Sequence, residues 1–309
     1  MCDAIFTFGQ RGSHFFQCPS HQDHTRLPQK LTTLLSSSQL QLVHHIALGF
    51  ENSFLLTWRD ASGQDRINSA GLPSELLDFL YARTPQGKPA RSIPTLRCTL
   101  GPSNTSFFAQ DGSACVWMNL PPLLIPALQS RIRDGKWTDR PRVVALGADA
   151  DFVLITENHA AVWALDHYPT MAKLLEYSRL QDRGIRDVRG VVLHAYRYGA
   201  AVCMSRNGTL VFENLPLHEL AGMQGMIEPV LQDTKALDWG MRDRGGRKEM
   251  KKKREEGEGV QKRPSVLQER AQMRREWSDH TQQFTAQAKG LKLSLSLSVS
   301  TGGFSRMLG

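Results

Sequence analysis

His14, Cys18, His21 and His24 stand within eleven residues in the order H-x3-C-x2-H-x2-H. All four are zinc-ligand types, and spacings this short could gather several of them around one ion. The competing reading is a solvated turn, because the stretch occupies the hairpin position of a repeated unit and known zinc patterns use other spacings. Trp58, Trp117 and Trp163, with Phe212, fall at or near strand positions along the chain. Repeated aromatics of this kind either line a ligand or carbohydrate groove or supply the large core residue of each unit. Core packing is the simpler expectation. The neighbouring His44 and His45 would point to opposite faces of a strand, so only one could serve any given site. Asp149, Asp151, Asp166 and Asp187 are scattered through turns and nothing pairs them. The chain contains no G-x-S-x-G, H-E-x-x-H, G-x-x-x-x-G-K-[ST] or G-x-G-x-x-G. No catalytic set and no cofactor is expected.

A second group of residues acts through charge. Of the net charge of +8 over 309 residues, residues 1–240 contribute nothing, with 22 basic and 22 acidic side chains, and residues 241–309 carry 16 against 8. Lys251, Lys252, Lys253 and Arg254, followed by Lys262 and Arg263, form a cluster of the nuclear-localisation kind. Residues 247–275 could also hold nucleic acid or an anionic surface by charge alone. Few aromatics are interleaved there, which argues against base stacking. Farther on, Val266, Met273, Trp277 and Phe284 mark a narrow apolar seam on a predicted helix over 264–289, a surface for a partner helix. The run LKLSLSLSVS at 291–300 alternates strictly, as a strand with one apolar face does. It is expected to cover a sheet edge of the body or to self-associate, and 264–300 as a whole could mediate self-association.

The elements that must carry these residues repeat. Pro28, Pro73, Pro121, Pro169 and Pro216 are separated by 45, 48, 48 and 47 residues, and all but Pro169 follow leucine. Upstream of the first four stand FTFG, IALG, CTLG and VALG, with VVLHA as a degenerate fifth. The stretch 100–128 shows the unit best. Ser106–Gln110 is β-prone, Asp111-Gly112 favours a tight hairpin, Ala114–Met118 alternates as a return strand, and Leu120-Pro121 opens a short helix with Leu124 and Leu128 on one face. Asn207-Gly208 repeats the hairpin signal in the fifth copy.

One such unit offers about five large apolar side chains, worth roughly 1.5–3 kcal/mol each on burial. Ordering some thirty residues costs about 1–2 kcal/mol apiece in backbone entropy. Alone it cannot fold, and neighbours must share faces. The reading is therefore mainly β with short helices: a propeller-like array of five three-stranded repeats of about 47 residues, each followed by a short helix. A sixth unit would follow if LQDTKALDWG is a first strand.

By period and by the strand–Asp-Gly/Asn-Gly–strand order, residues 4–226 resemble a β-propeller in the broad sense of the WD40 and regulator-of-chromosome-condensation repeat proteins. The Trp-Asp and Gly-His dipeptides of those families are absent. The resemblance implies a disc whose faces bind partners, and it carries over no functional residue. Three segments are expected: a repeat domain at 1–240, a disordered basic linker at 241–263, and a helix and strand at 264–309. The function expected is a non-catalytic protein-interaction or scaffolding module. The alternatives are a carbohydrate- or small-ligand-binding propeller using the tryptophans, and a hydrolase or lyase on the same scaffold. Five irregularly spaced cysteines, no signal-like amino terminus and no run of about eighteen apolar residues point to an intracellular protein, cytoplasmic or nuclear, without a transmembrane segment.

Overall fold

Each copy of the repeat becomes a separate antiparallel sheet of three consecutive strands. The computed structural model describes residues 3–112, 114–181, 184–252 and 295–298. Sheet 1 is β1 (Ile5–Phe8), β2 (His14–Cys18) and β3 (His21–Thr25); sheet 2 is β4 (Leu40–Leu48), β5 (Phe54–Asp60) and β6 (Asp65–Ala70). Sheet 3 is β7 (Arg97–Leu100), β8 (Phe107–Gln110) and β9 (Cys115–Met118). A two-stranded hairpin, β10 (Ile132–Arg133) with β11 (Lys136–Trp137), interrupts the polar connection to sheet 4. Its Asp134-Gly135 turn places both residues at positive φ, 50° and 69°, as a two-residue hairpin demands. Sheet 4 is β12 (Pro141–Leu146), β13 (Phe152–Thr156) and β14 (Ala161–Ala164); sheet 5 is β15 (Val188–Leu193), β16 (Ala201–Ser205) and β17 (Leu210–Glu213). β18 (Leu295–Ser298) adds to β17 antiparallel, from Leu210 opposite Ser298 to Glu213 opposite Leu295. The part of the alternating tail run that is described thus pairs with a sheet edge, as its pattern suggests.

Five apolar cores lie between sheets rather than within them. Phe15, Leu48 and Phe54 belong to a core shared by sheets 1 and 2. Leu55 and Phe107 join sheets 2 and 3, Phe108 and Phe152 join sheets 3 and 4, and Val153 and Cys203 join sheets 4 and 5. The fifth core brings Phe8 and Phe16 of sheet 1 against Val202 and Phe212 of sheet 5. Adjacent residues of the middle strands, Phe15 and Phe16 or Phe107 and Phe108, therefore serve opposite neighbours, which is what period-two alternation provides. This is the physical content of the double-aromatic signal.

The prolines act at the edge of each helix. α1 (Gln29–Leu35), α2 (Ser74–Tyr81), α3 (Leu124–Gln129), α4 (Pro169–Leu180) and α5 (Leu217–Lys252) follow the five sheets. Pro28, Pro73, Pro121 and Pro216 each accept a hydrogen bond at the helix start, from Thr32, Leu77, Leu124 and Leu220. In α4 the proline is the first helical residue and Tyr168 accepts the bond instead. A proline has no N–H to lose at either place. The glycine just after the first strand is needed for close approach: a Cβ on Gly49 or Gly101 would stand 2.4 Å from the hydroxyl of Ser53 or Ser106.

Two expectations fail at the carboxyl end. The fifth helix is not short, and LQDTKALDWG is not the first strand of a sixth unit, because α5 runs unbroken from 217 to 252 with Pro229 inside it. Met223, Met226, Val230 and Leu231 are buried, the first three in the core between sheets 5 and 1. Residues 241–252 continue the same helix. Arg254, Lys262, Arg263 and the seam of Val266, Met273, Trp277 and Phe284 lie outside the described residues, as does Lys253; Lys251 and Lys252 end α5. Among the described residues, no helix is long and apolar enough to cross a membrane.

Candidate functional site

The first strands of all five sheets line one cavity of about 310 Å³. Its polar lining includes Asp3 before β1, His44 and His45 in β4, Arg97 and Thr99 in β7, Gln110 in β8, Arg142 in β12 and Arg189 in β15. Farther along the same strands, their five last residues, Phe8, Leu48, Leu100, Leu146 and Leu193, line a smaller cavity of about 130 Å³. Equivalent residues of five repeats thus surround the same space.

Polar bonds cross every junction between these strands. Leu48 N donates to Thr7 Oγ1 at 3.0 Å, and Thr99 Oγ1 donates to the Val144 carbonyl at 2.7 Å. His45 Nε2 stands 2.8 Å from the Cys98 carbonyl and 3.1 Å from its amide nitrogen. Arg142 donates its two terminal nitrogens to the carbonyls of Arg189 and Val188, each at 2.8 Å. Arg189 in turn reaches Asp3 Oδ1 at 3.1 Å, joining the last sheet to the chain just before the first.

Strand irregularity aims three of these side chains. In β4 the register shifts between Val43 and His45, in β12 between Pro141 and Val143, and in β15 between Val188 and Gly190. The residues skipped are His44, Arg142 and Arg189, each four before the last residue of its strand. A bulge bends the strand and redirects the extra residue, so the same device recurs in three repeats. Arg97 reaches the cavity without one and donates to the carbonyls of Pro94 and Leu96 at 2.9 and 2.8 Å.

The electrostatics follow from this convergence. Burial, reinforced by the charges of Arg189 and Arg206, lowers the Arg142 guanidinium to about 10. Arg97 is lowered by burial first; Asp3 opposes that shift and Arg189 adds to it. Burial and then Arg97 lower His45 to about 4, so it is neutral at pH 7 and fixed on the Cys98 backbone. His44 is held at 2.8 Å by Asp65, which Arg59 also grips through two bonds. The two histidines, expected to diverge by strand alternation, both line this cavity because the bulge at His44 breaks the alternation, and each has its own partner. Arg142 Nε is shielded from solvent and makes no protein hydrogen bond.

The candidates read from the sequence fall elsewhere. His14, Cys18 and His21 share one face of the β2–β3 hairpin, because Cys18 sits opposite His21 and His14 is four pairs away on the same face. His24, opposite Phe15, belongs to the other face. His14 is buried and bonded to Asp23 at 2.7 Å, while Cys18 contacts Ser20. Burial comes first among the causes that push the Cys18 thiol up to about 11, away from the thiolate that metal binding needs. Among the described residues, no group of three or more His, Cys, Asp or Glu side chains could hold a metal ion. Trp58, Trp117 and Trp163 are partly buried against three different inter-sheet cores and are not brought together, and Phe212 is fully buried in another.

The arginines were missed because no short motif contains them. Their signal was positional: Arg97, Arg142 and Arg189 recur at 45 and 47 residues, the period of the prolines. Comparison of the chain with protein-family models, with curated proteins and with solved structures found no match.

Proposed function

We propose that the five sheets are the blades of a closed propeller, and that the chain is a non-catalytic binding or scaffolding module. A protein partner presents a side chain or a terminus to the mouth of the cavity between the first strands. The observation that carries this reading is the lining itself, drawn from equivalent positions of all five repeats and tied at each junction by a hydrogen bond. Catalysis has little to work with there. His45 is spent on the Cys98 backbone, His44 on Asp65, and Asp3 on Arg189. General acid–base chemistry needs a group free to exchange a proton with the ligand.

The test uses the full chain with ¹³C-labelled methionine methyls, since Met204 lines the cavity. Titration with a panel of small neutral and charged probes should shift the Met204 resonance for at least one, and mass spectrometry should recover every probe unchanged. A panel that leaves Met204 untouched removes the cavity as the site. Turnover of a probe removes the non-catalytic reading.

A further inference from the structure

We infer that the cavity mouth takes a phosphate monoester, its dianionic head held by Arg97, Arg142 and Arg189 and its organic body lying against the apolar part of the lining. This deepens the binding reading above and rests on it.

Charge count and geometry support the choice. Three guanidinium groups from three successive sheets face one space, and the carboxylate among them is Asp3, paired with Arg189. Setting aside the histidines, the mouth carries a formal charge of +2, the complement of a phosphate monoester near neutral pH. Burial is the first cause that lowers Arg142 and Arg97, and the like charge of Arg189 adds a smaller cost at both. A bound dianion would relieve it. Guanidinium forks suit phosphate oxygens, and Arg142 has a shielded Nε–H without a protein acceptor. The bulges at Arg142 and Arg189 take both residues out of the ladder, and both line this space. The same cavity also has apolar lining from Ile5, Phe6, Val143, Val191 and Met204. The volume, about 310 Å³, is of the size that holds a small ligand or one modified side chain.

The phosphate could arrive on a free organic molecule or on a phosphorylated residue of a protein. Both sources are tested by calorimetry on the full chain, with phenyl phosphate as one probe and a five-residue peptide carrying a central phosphotyrosine as the other. Binding by either, at one site per chain, is the expected result, and which of them binds more tightly names the source. Benzoate, a monoanion of similar body, should bind about tenfold more weakly. Arg97→Gln and Arg189→Gln should each weaken phosphate binding about tenfold or more, and Arg97→Lys should restore only part of it. Asp3→Asn should tighten binding, an effect of opposite sign that loss of folding cannot imitate. Benzoate binding as well as phenyl phosphate, or indifference to Arg97→Gln and Arg189→Gln, overturns the inference. Neutral benzyl alcohol separates the two levels: if it shifts Met204 while neither phosphate probe binds, the cavity reading stands and the phosphate assignment falls. If no probe shifts Met204, both fall.

Discussion

The hydroxyl of Tyr168 donates to the carbonyl of His194 at 2.8 Å and accepts from the amide of Ala148 at 2.9 Å. Tyr168 stands where the other four repeats have leucine before the proline, and it is fully buried. His194 stands where the other repeats have glycine just after their first strand, and its ring stacks on Phe8 at 4.9 Å. Two departures from the repeat consensus are therefore one contact, linking sheet 4 to sheet 5 and sheet 5 to sheet 1. Tyr168→Phe leaves the buried amide of Ala148 without a partner, while the His194 carbonyl keeps the bond from the Arg197 amide. It should lower unfolding stability by about 1–3 kcal/mol, read as a drop in the urea midpoint at unchanged slope.

Arg142 is the corresponding link at the cavity, with two charge-assisted bonds to the Val188 and Arg189 carbonyls. Arg142→Met keeps the stem and removes the donors. Stability should fall by about 1.5–3 kcal/mol, and amide exchange in β15 should accelerate more than in β4. Equal acceleration in both would count against a local link.

Gly222 of α5 lies directly over the His14–Asp23 pair; a Cβ there would stand 2.0 Å from Asp23 Oδ2. Asp23 cannot yield without leaving His14, to which it is bonded at 2.7 Å. Gly222→Ala should therefore destabilise by about 1–3 kcal/mol despite the better helix propensity of alanine. Combining it with Asp23→Ala should cost less than the sum of the single changes, as a double-mutant cycle in denaturant would show.

Glu213 ends β17, and burial pushes its carboxyl up to about 7, with a hydrogen bond from Thr170 opposing. The folded state then binds a proton more tightly than the unfolded chain does, whose carboxyl has the ordinary value of 4.5. Its contribution to stability is complete below that ordinary value and is lost as pH rises through about 7. Glu213→Gln should flatten this slope, gaining on the parent protein by an amount on the order of 3 kcal/mol between pH 4 and pH 8. Parallel pH–stability curves for the two proteins would refute the assignment.

Burial pushes the thiols of Cys98 and Cys203 up to about 12. Iodoacetamide at pH 8 should leave Cys18, Cys98 and Cys203 unmodified in the native protein and label all three in urea. Cys115, only half-buried, should react first among these four, as peptide mapping would report.

Local chemistry made much of this protein legible in its sequence. Alternating strands, Asp-Gly and Asn-Gly turns and Leu-Pro helix starts are short-range signals, and their period gave the units and the sharing of faces by paired phenylalanines. The Asp134-Gly135 hairpin carries the same turn signal inside a polar connection. What the sequence alone did not determine depends on residues far apart in the chain. The run LQDTKALDWG suggested a further strand, but it belongs to α5, whose earlier turns pack on sheet 1, more than two hundred residues away. The spacing of His14, Cys18, His21 and His24 suggested one ion site, but the hairpin register puts His24 on the other face. Arg97, Arg142 and Arg189 are unremarkable charges until three strands from three sheets face one cavity and two bulges turn their side chains into it. Strand period is encoded locally, residue by residue; the meeting of charges across repeats is decided only when those repeats pack.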